Sequence, residues 1–256
     1  MPETTVEMIS AALLHARRER RPVDAARYGP LLTSPDQAYA AQAAVARAMK
    51  WFGSAPPKHW KSGGPSRKAP LTHAPLPPDG IWKSPAKAGD WPFNLRGIEA
   101  EVALRLNAAV DAETAASIDE ALASKLIDAV AVSIEVVDSR WSEGLDAPAL
   151  LRLADQQSHG ALVLGDWIPY VPRDWTRQVC RVAIDGKVVV ERKGTHAFGS
   201  VIWGVGAWLR HATQSGKPVP AGTVVTTGTW VGVVDAAAGN KVTVKFDGIG
   251  SAEVQL

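Results

Sequence analysis

Three acidic residues in two apolar, strand-like stretches carry the clearest chemistry in this chain. Glu99 and Glu101 lie in Ile98-Glu99-Ala100-Glu101-Val102-Ala103-Leu104-Arg105-Leu106, and Glu135 in Ala131-Val132-Ser133-Ile134-Glu135-Val136-Val137-Asp138. Strand alternation puts Ile98, Ala100, Val102, Leu104 and Leu106 on one face and both glutamates on the other, roughly 6–7 Å apart along the strand. Carboxylates this close, with another in a nearly all-apolar run, repel one another and lose hydration unless something compensates them. A hard divalent cation with oxygen ligands does so. The same spacing also fits the polar face of an edge strand, because period-two alternation is ordinary.

Other residues invite chemistry less directly. Lys61 sits in Trp60-Lys61-Ser62-Gly63, either as a cation near substrate charge, as a proton-transfer group whose pKa falls on burial, or as a solvated lysine. Asp79 in Leu76-Pro77-Pro78-Asp79-Gly80 satisfies turn chemistry by itself. No histidine pair has the His-x-x-x-His spacing of a helical metal site, and His196 is a candidate supporting residue beside a site. No nucleophile-elbow pattern supports a serine triad, and Gly204-Val205-Gly206 falls inside a helical pattern rather than after a strand. The single cysteine, Cys180, excludes an internal disulfide and a multi-cysteine zinc site, in keeping with a cytoplasmic location. Lys+Arg 28 against Asp+Glu 26 leaves a charge of +2, too weak a field to call for nucleic acid or a membrane surface.

The elements that must position these groups follow from pattern. The opening stretch lacks an apolar core and a cleavage site, so no secretory leader is expected, and no run is long enough for a membrane span. Residues 4–20 and 34–51 are expected to be helical, the second opened by Ser34-Pro35-Asp36-Gln37 with capping-box spacing. Residues 53–92 are dense in Pro and Gly but hold Trp60, Leu76, Ile81 and Trp82, which predicts an ordered functional loop region with short strands. Strands are expected over 97–107, 129–137, 159–165, 179–185, 187–192, 222–233 and 241–246, with Asp185-Gly186 as a hairpin turn. Helices are expected from Ser117 to Leu126 and from Gly199 to His211. Helices first and then a strand-rich body indicate an α+β fold. Ten tryptophans suit core anchors and subunit contacts.

The chain resembles the fumarylacetoacetate hydrolase superfamily, in its 2-keto-4-pentenoate hydratase branch, along nearly its whole length. The similar segments, in order, are Asp36-Gln37-Ala38-Tyr39-Ala40-Ala41-Gln42, Trp60-Lys61-Ser62-Gly63, Gly97-Ile98-Glu99-Ala100-Glu101-Val102-Ala103, Ile134-Glu135-Val136-Val137-Asp138-Ser139-Arg140, Asp155-Gln156-Gln157-Ser158-His159-Gly160 and Ala221-Gly222-Thr223-Val224-Val225-Thr226-Thr227-Gly228-Thr229. Each motif is modest by itself; their order and spacing are specific.

The resemblance implies a small helical N-terminal part over residues 1–70 and a mixed β-sandwich roll over 71–256, in a homo-oligomer. It implies Mg²⁺ or Mn²⁺ on Glu99, Glu101 and Glu135, chelating a 2-oxo acid and stabilising its enolate. Lys61 and Asp79 are implied as acid/base groups, and Ser158 with Gly228 and Thr229 as the grip on the substrate carboxylate, with Asp155 orienting their loop. Arg140 is expected in a structural ion pair. Departures are the Pro-Pro before Asp79 and Gln156 in place of the usual Asn, which is expected to loosen its loop. The activity so implied is hydration of a 2-hydroxy-2,4-dienoate or 2-oxo-alkenoate from aromatic meta-cleavage to a 4-hydroxy-2-oxo acid. Alternatives on the same site are a 4-oxalocrotonate-type decarboxylase and an acylpyruvate C–C hydrolase, the latter disfavoured because no His–Glu pair lies near the N-terminal helices. A non-enzymatic alternative is a structural partner of such pathway enzymes.

Overall fold

Apolar alternation and strong turn signals yield a strand-rich body packed against N-terminal helices in the computed structural model, which describes residues 4–256. The first three residues of the N-terminal part expected over 1–70 lie outside the described residues. The helices are α1 (Thr5–Glu19), α2 (Pro35–Ala48), α3 (Ala112–Ser117), α4 (Glu120–Lys125), α5 (Ala149–Ala154) and α6 (Val205–Ala212). The strands are β1 (His59–Gly63), β2 (Thr72–Pro75), β3 (Ile81–Lys83), β4 (Ala86–Lys87), β5 (Gly97–Leu106), β6 (Ile127–Val137), β7 (His159–Leu164), β8 (Ile168–Pro169), β9 (Val179–Ile184), β10 (Lys187–Lys193), β11 (Val224–Thr226), β12 (Val234–Asp235), β13 (Lys241–Phe246) and β14 (Gly250–Gln255).

A larger sheet runs β2-β1-β11-β5-β6-β7-β3, with β12 on β5 and β8 on β6, and a smaller one runs β10-β9-β13-β14-β4. The long β5–β6 antiparallel pair is the spine of the larger sheet. The core-facing side chains of that pair, Ile98, Ala100, Val102, Ile134 and Val136, meet Val182, Val244, Phe246 and Val254 of the smaller sheet. A separate core joins Ile9 and Leu13 of α1, Val45 of α2 and Leu151 of α5 with Trp141, which precedes α5. β1 falls within the N-terminal seventy residues yet belongs to the larger sheet, pairing in parallel with β11.

Several boundaries differ from expectation for local reasons. Thr4 caps α1 in a complete capping box with Glu7, whereas at α2 the box is half made. Ser34 Oγ accepts from Gln37 N at 3.3 Å, but Gln37 Oε1 turns to Thr33 N at 2.9 Å. The helix expected from Ser117 starts later, as α4, and Ser117 instead ends α3: Asp119, not Ser117, caps α4 by accepting from Leu122 N at 2.7 Å. The helix expected from Gly199 starts only at Val205, because Gly199 takes φ 64° and residues 199–204 form turns. The strand expected over 222–233 shrinks to β11, and Gly228 at φ 99° turns the chain along a cavity. Asp185 and Gly186, at φ 51° and 80°, make the expected β9–β10 hairpin turn. Among the described residues no helix is long and apolar enough to cross a membrane.

Candidate metal centre and substrate cavity

Register brings the acids together. In the β5–β6 ladder Glu99 faces Glu135 directly and Glu101 faces Ser133, so both glutamates of β5 share a face with Glu135. A carboxylate oxygen from each of Glu99, Glu101 and Glu135 lies within 4.8 Å of the others. Like charges directly across a ladder destabilise a sheet, and the neighbourhood offsets this incompletely. Lys61, on β1, donates from Nζ to Glu135 Oε1 at 2.5 Å and to the Gln157 carbonyl at 3.0 Å. Glu101 Oε2 accepts from Thr226 Oγ1 and from Gly228 N at 3.0 Å. A neutral His159 with its proton on Nδ1 donates to Glu135 Oε1 at 3.2 Å. Glu135 Oε2 remains buried without a partner.

Electrostatics mark the same deficit. Burial, and then repulsion from Glu101 and Glu135, pushes the Glu99 carboxyl up to about 8 despite Lys61. Burial and Glu135 push Glu101 up to about 7. Burial would raise Glu135 too, but Lys61 and the His159 hydrogen bond hold it below the ordinary carboxylate value. Burial alone would lower Lys61, yet the carboxylates of Glu135, Glu99 and Glu101 outweigh it and hold the ammonium above its ordinary value. Of the readings open for Lys61, a pKa depressed by burial does not hold and the cation does: its surroundings keep it charged. An oxygen-only cluster with an orphaned buried oxygen and two carboxyls driven toward protonation is a set that a hard divalent cation would complete.

The cluster opens into a cavity of about 710 Å³, lined on one side by Lys61, Glu99, Glu101 and Thr227–Thr229 and on another by Ala149, Leu150, Arg152 and Leu153 of α5. Gln157 and Ser158 also line it. Gln156, Gln157 and Ser158 all adopt left-handed backbone, at φ 47°, 55° and 59°, each disfavoured for a non-glycine residue by about 1–2 kcal/mol. Tertiary contacts hold that turn. Ser158 N donates to Asp155 O at 2.9 Å, and Asp155 accepts from Arg140 Nε at 2.7 Å and from Arg17 Nη2 at 3.0 Å. Gln156, expected to loosen the loop, is buried and accepts from Arg17 Nη2 at 2.8 Å. Ser158 Oγ and Gln157 Oε1 are buried without partners beside the cavity.

The residues singled out in the sequence separate accordingly. Glu99, Glu101, Lys61, Ser158, Gly228 and Thr229 line one cavity, with Glu135 bonded to Lys61 at its wall. Gly228 N is already committed to Glu101, and the Thr229 hydroxyl donates to Gly232 O at 2.7 Å, which leaves Ser158 as the unengaged hydroxyl of that trio. Asp155 lies behind the turn, in ion pairs with Arg140 and Arg17. Asp79 is not brought to the cluster. Its Pro77-Pro78-Asp79-Gly80 segment closes a tight turn, with Gly80 N donating to Pro77 O at 3.2 Å, and its exposed side chain borders a smaller cavity with Arg17, Trp91 and His159.

His159, Gln157, Thr226 and Arg152 reach the site without having been selected from the sequence. The motif positions of His159 and Thr226 offered a signal; Arg152 offered none. His196 lines the cavity with Nε2 donating to Thr227 O at 2.8 Å, and burial lowers its pKa.

The sequence matches the family described as fumarylacetoacetate (FAA) hydrolase C-terminal over residues 46–256. The chain belongs to the fumarylacetoacetate hydrolase family. Among curated relatives in this neighbourhood, a 2-keto-4-pentenoate hydratase of Paraburkholderia phymatum is 32% identical over 165 residues, 62% of this chain and 60% of that protein. A 4-oxalocrotonate decarboxylase of Pseudomonas putida is 27% identical over 132 residues, 51% of this chain and 49% of that protein. The chain thus spans about half to three-fifths of the length of these relatives. The fumarylacetoacetate hydrolase fold extends further than the sequence match. The structure of 4-oxalocrotonate decarboxylase from Pseudomonas putida G7, complexed with magnesium and adipate, superposes with a TM-score of 0.82 over 97% of both chains at 19% identity. The helical start and the mixed sheets are therefore those of this fold.

Proposed function

We propose that this protein is a divalent-metal-dependent hydratase that adds water to a 2-hydroxy-2,4-dienoate or 2-oxo-alkenoate to give a 4-hydroxy-2-oxo acid. The observation that carries this reading is the convergence of Glu99, Glu101 and Glu135, with an orphaned Glu135 oxygen, at the wall of a large and otherwise mostly apolar cavity. Glu99, Glu101 and Glu135 would hold Mg²⁺ or Mn²⁺, and such an ion supplies Lewis-acid polarisation of the 2-oxo acid. Magnesium in the decarboxylase structure and the hydratase name of the Paraburkholderia relative support the assignment.

This chain's own residues do the rest. Ser158 Oγ donates to the substrate carboxylate. Lys61, kept protonated, offsets the substrate's negative charge and would pass a proton to the carbon skeleton as the dienol becomes the ketone, recovering one from the enol hydroxyl as its C=O forms. Leu145, Leu150, Leu153, Phe198 and Val233 enclose the hydrocarbon part and limit stray water. Asp79 borders the smaller cavity rather than this one, so Lys61 carries the acid/base role.

The test is loss of diene absorbance from 2-hydroxypenta-2,4-dienoate. EDTA-stripped protein should be inactive and Mg²⁺ should restore it, while Lys61→Met should lower the rate by roughly 10²-fold or more. Failure of Mg²⁺ to restore turnover sinks the reading for that substrate. The decarboxylase relative and fold match support a second reading, loss of CO₂ from 4-oxalocrotonate on the same site. Detection of CO₂ instead of a hydrated acid selects it.

A further inference from the structure

One peptide group beside the glutamate cluster is held from both ends. Its carbonyl belongs to Thr227 and its N–H to Gly228, and in a planar trans peptide the two point in opposite directions. The N–H donates to Glu101 Oε2 at 3.0 Å. The carbonyl accepts from His196 Nε2 at 2.8 Å. His196 thus reaches Glu101 through a single peptide unit, along a chain in which each hydrogen bond polarises the next. Thr226 Oγ1 donates to the same Glu101 oxygen. Both bonds therefore land on Oε2, which orients the carboxylate and leaves Oε1 as the oxygen to ligate a cation.

His196 is itself fixed. Phe198 N donates to Nδ1 at 3.4 Å, which together with the Nε2 bond sets the neutral tautomer with its proton on Nε2. The ring packs against Trp230 at 5.4 Å and edge-on to Phe198 at 5.2 Å. The segment that carries it is pinned by Thr195 Oγ1 donating to Trp230 O at 2.5 Å and by Arg67 Nε donating to Phe198 O at 2.6 Å. The gripped peptide has no such rigidity of its own. Thr227 Oγ1 donates to Val102 O at 2.8 Å, so residue 227 stays on β5 while the peptide after it is able to turn. Gly228 sits at φ 99°, and a residue without Cβ leaves both signs of φ open. A Cβ built there would have His196 Nε2 as its nearest neighbour, 3.9 Å away, so this glycine answers a backbone angle and not a shortage of room. Without the His196 bond the 227–228 peptide can rotate and turn a carbonyl lone pair, instead of an N–H, toward the Glu101 carboxylate.

We propose that His196 is a positioning residue of the metal centre: by gripping the Thr227 carbonyl it holds Gly228 N–H on Glu101 Oε2 and so presents Oε1 to the cation. This rests on the reading of Glu99, Glu101 and Glu135 as ligands of a divalent cation. It adds to that reading a histidine that acts through one backbone peptide and not as a ligand.

Metal affinity tests it without any turnover. Metal-free wild type, His196→Phe, His196→Gln and Gly228→Ala are titrated with Mg²⁺ by calorimetry. His196→Phe keeps an aromatic ring between Trp230 and Phe198 but has no donor, and should bind Mg²⁺ about tenfold more weakly, the size expected when a group that orients a metal ligand is lost. His196→Gln places an amide N–H as far out as histidine Nε2 and should bind within about threefold of wild type. Gly228→Ala, for which there is room but an unfavourable backbone angle, should weaken binding about as much as His196→Phe. Wild-type affinity in a folded His196→Phe overturns the proposal. So does a His196→Gln as weak as His196→Phe, because the loss would then follow the ring and not its donor. If His196→Phe does not fold, Gly228→Ala decides: wild-type affinity there shows that the orientation of this peptide does not matter to the metal. Failure of the wild type itself to bind Mg²⁺ removes the metal reading of the glutamates, and this proposal with it.

Discussion

Two buried charge clusters lie on either side of the Gln156–Ser158 turn, and they are built in opposite ways. Arg17, Arg140, Asp138 and Asp155 set two cations against two anions. Arg140 Nε meets Asp155 Oδ1 at 2.7 Å and Nη1 meets Asp138 Oδ2 at 3.2 Å, while Asp138 Oδ1 accepts from Asn94 N at 2.9 Å and Leu95 N at 2.7 Å. Each carboxylate oxygen of that pair has a donor. The cluster of Lys61, Glu99, Glu101 and Glu135 sets one ammonium against three carboxyls and leaves Glu135 Oε2 with none. The balanced cluster fastens the strained turn to the N-terminal helices. The unbalanced one holds three carboxyls for one ammonium and a carboxylate oxygen without a donor, and that charge imbalance distinguishes a site from a brace.

The comparison is broken most severely at the brace. Arg140→Met strips Asp138 of its guanidinium partner and leaves Asp155 with Arg17 as its one cation, the backbone N–H of residue 140 remaining, so it should destabilise the fold by about 3–5 kcal/mol in urea unfolding. A cost near zero would mean that the brace is not braced. At the other cluster, removing a charge should have the opposite sign. The folded-state pKa of Glu99, about 8, lies above its ordinary value of 4.5. The folded protein therefore binds the extra proton in that window, and metal-free stability falls as pH rises from 4.5 to 8. Glu99→Gln should accordingly make the metal-free protein more stable at pH 8, on the order of 2 kcal/mol, with no gain at pH 4. It should also abolish the rise in Tm on adding Mg²⁺. A destabilised Glu99→Gln at pH 8 would place Glu99 in a structural role instead.

The smallest effect is a proton count. With Glu99 near 8 and Glu101 near 7, Mg²⁺ binding at pH 7 should release about one proton, falling toward none by pH 9. Calorimetry in two buffers of different ionisation enthalpy measures it. No release at pH 7 would show that the carboxyls are already ionised and compensated within the protein.

Much of this was legible along the chain. The 97–106 alternation fixed the shared face of Glu99 and Glu101, and capping and turn residues located α1, α2 and the β9–β10 hairpin. Ser117 misled because Asp119 is the better cap two residues on, and the 222–233 run misled because Gly228 turns it along the cavity. Asp79 looked chemical by position, but the proline pair commits it to a turn bordering another cavity. Arg152 carried no local signal, since an arginine on an amphipathic helix is ordinarily solvated.

The sequence by itself determined which residues share a face and which order the strands follow, because side-chain alternation and turn chemistry depend on neighbours in the chain. Tertiary structure alone decided that Glu135 sits opposite Glu99, that Lys61 stays charged despite burial, and that Arg152 reaches the same cavity from α5. Those outcomes depend on register and on electrostatic fields summed over residues up to a hundred positions apart, to which a local pattern has no access.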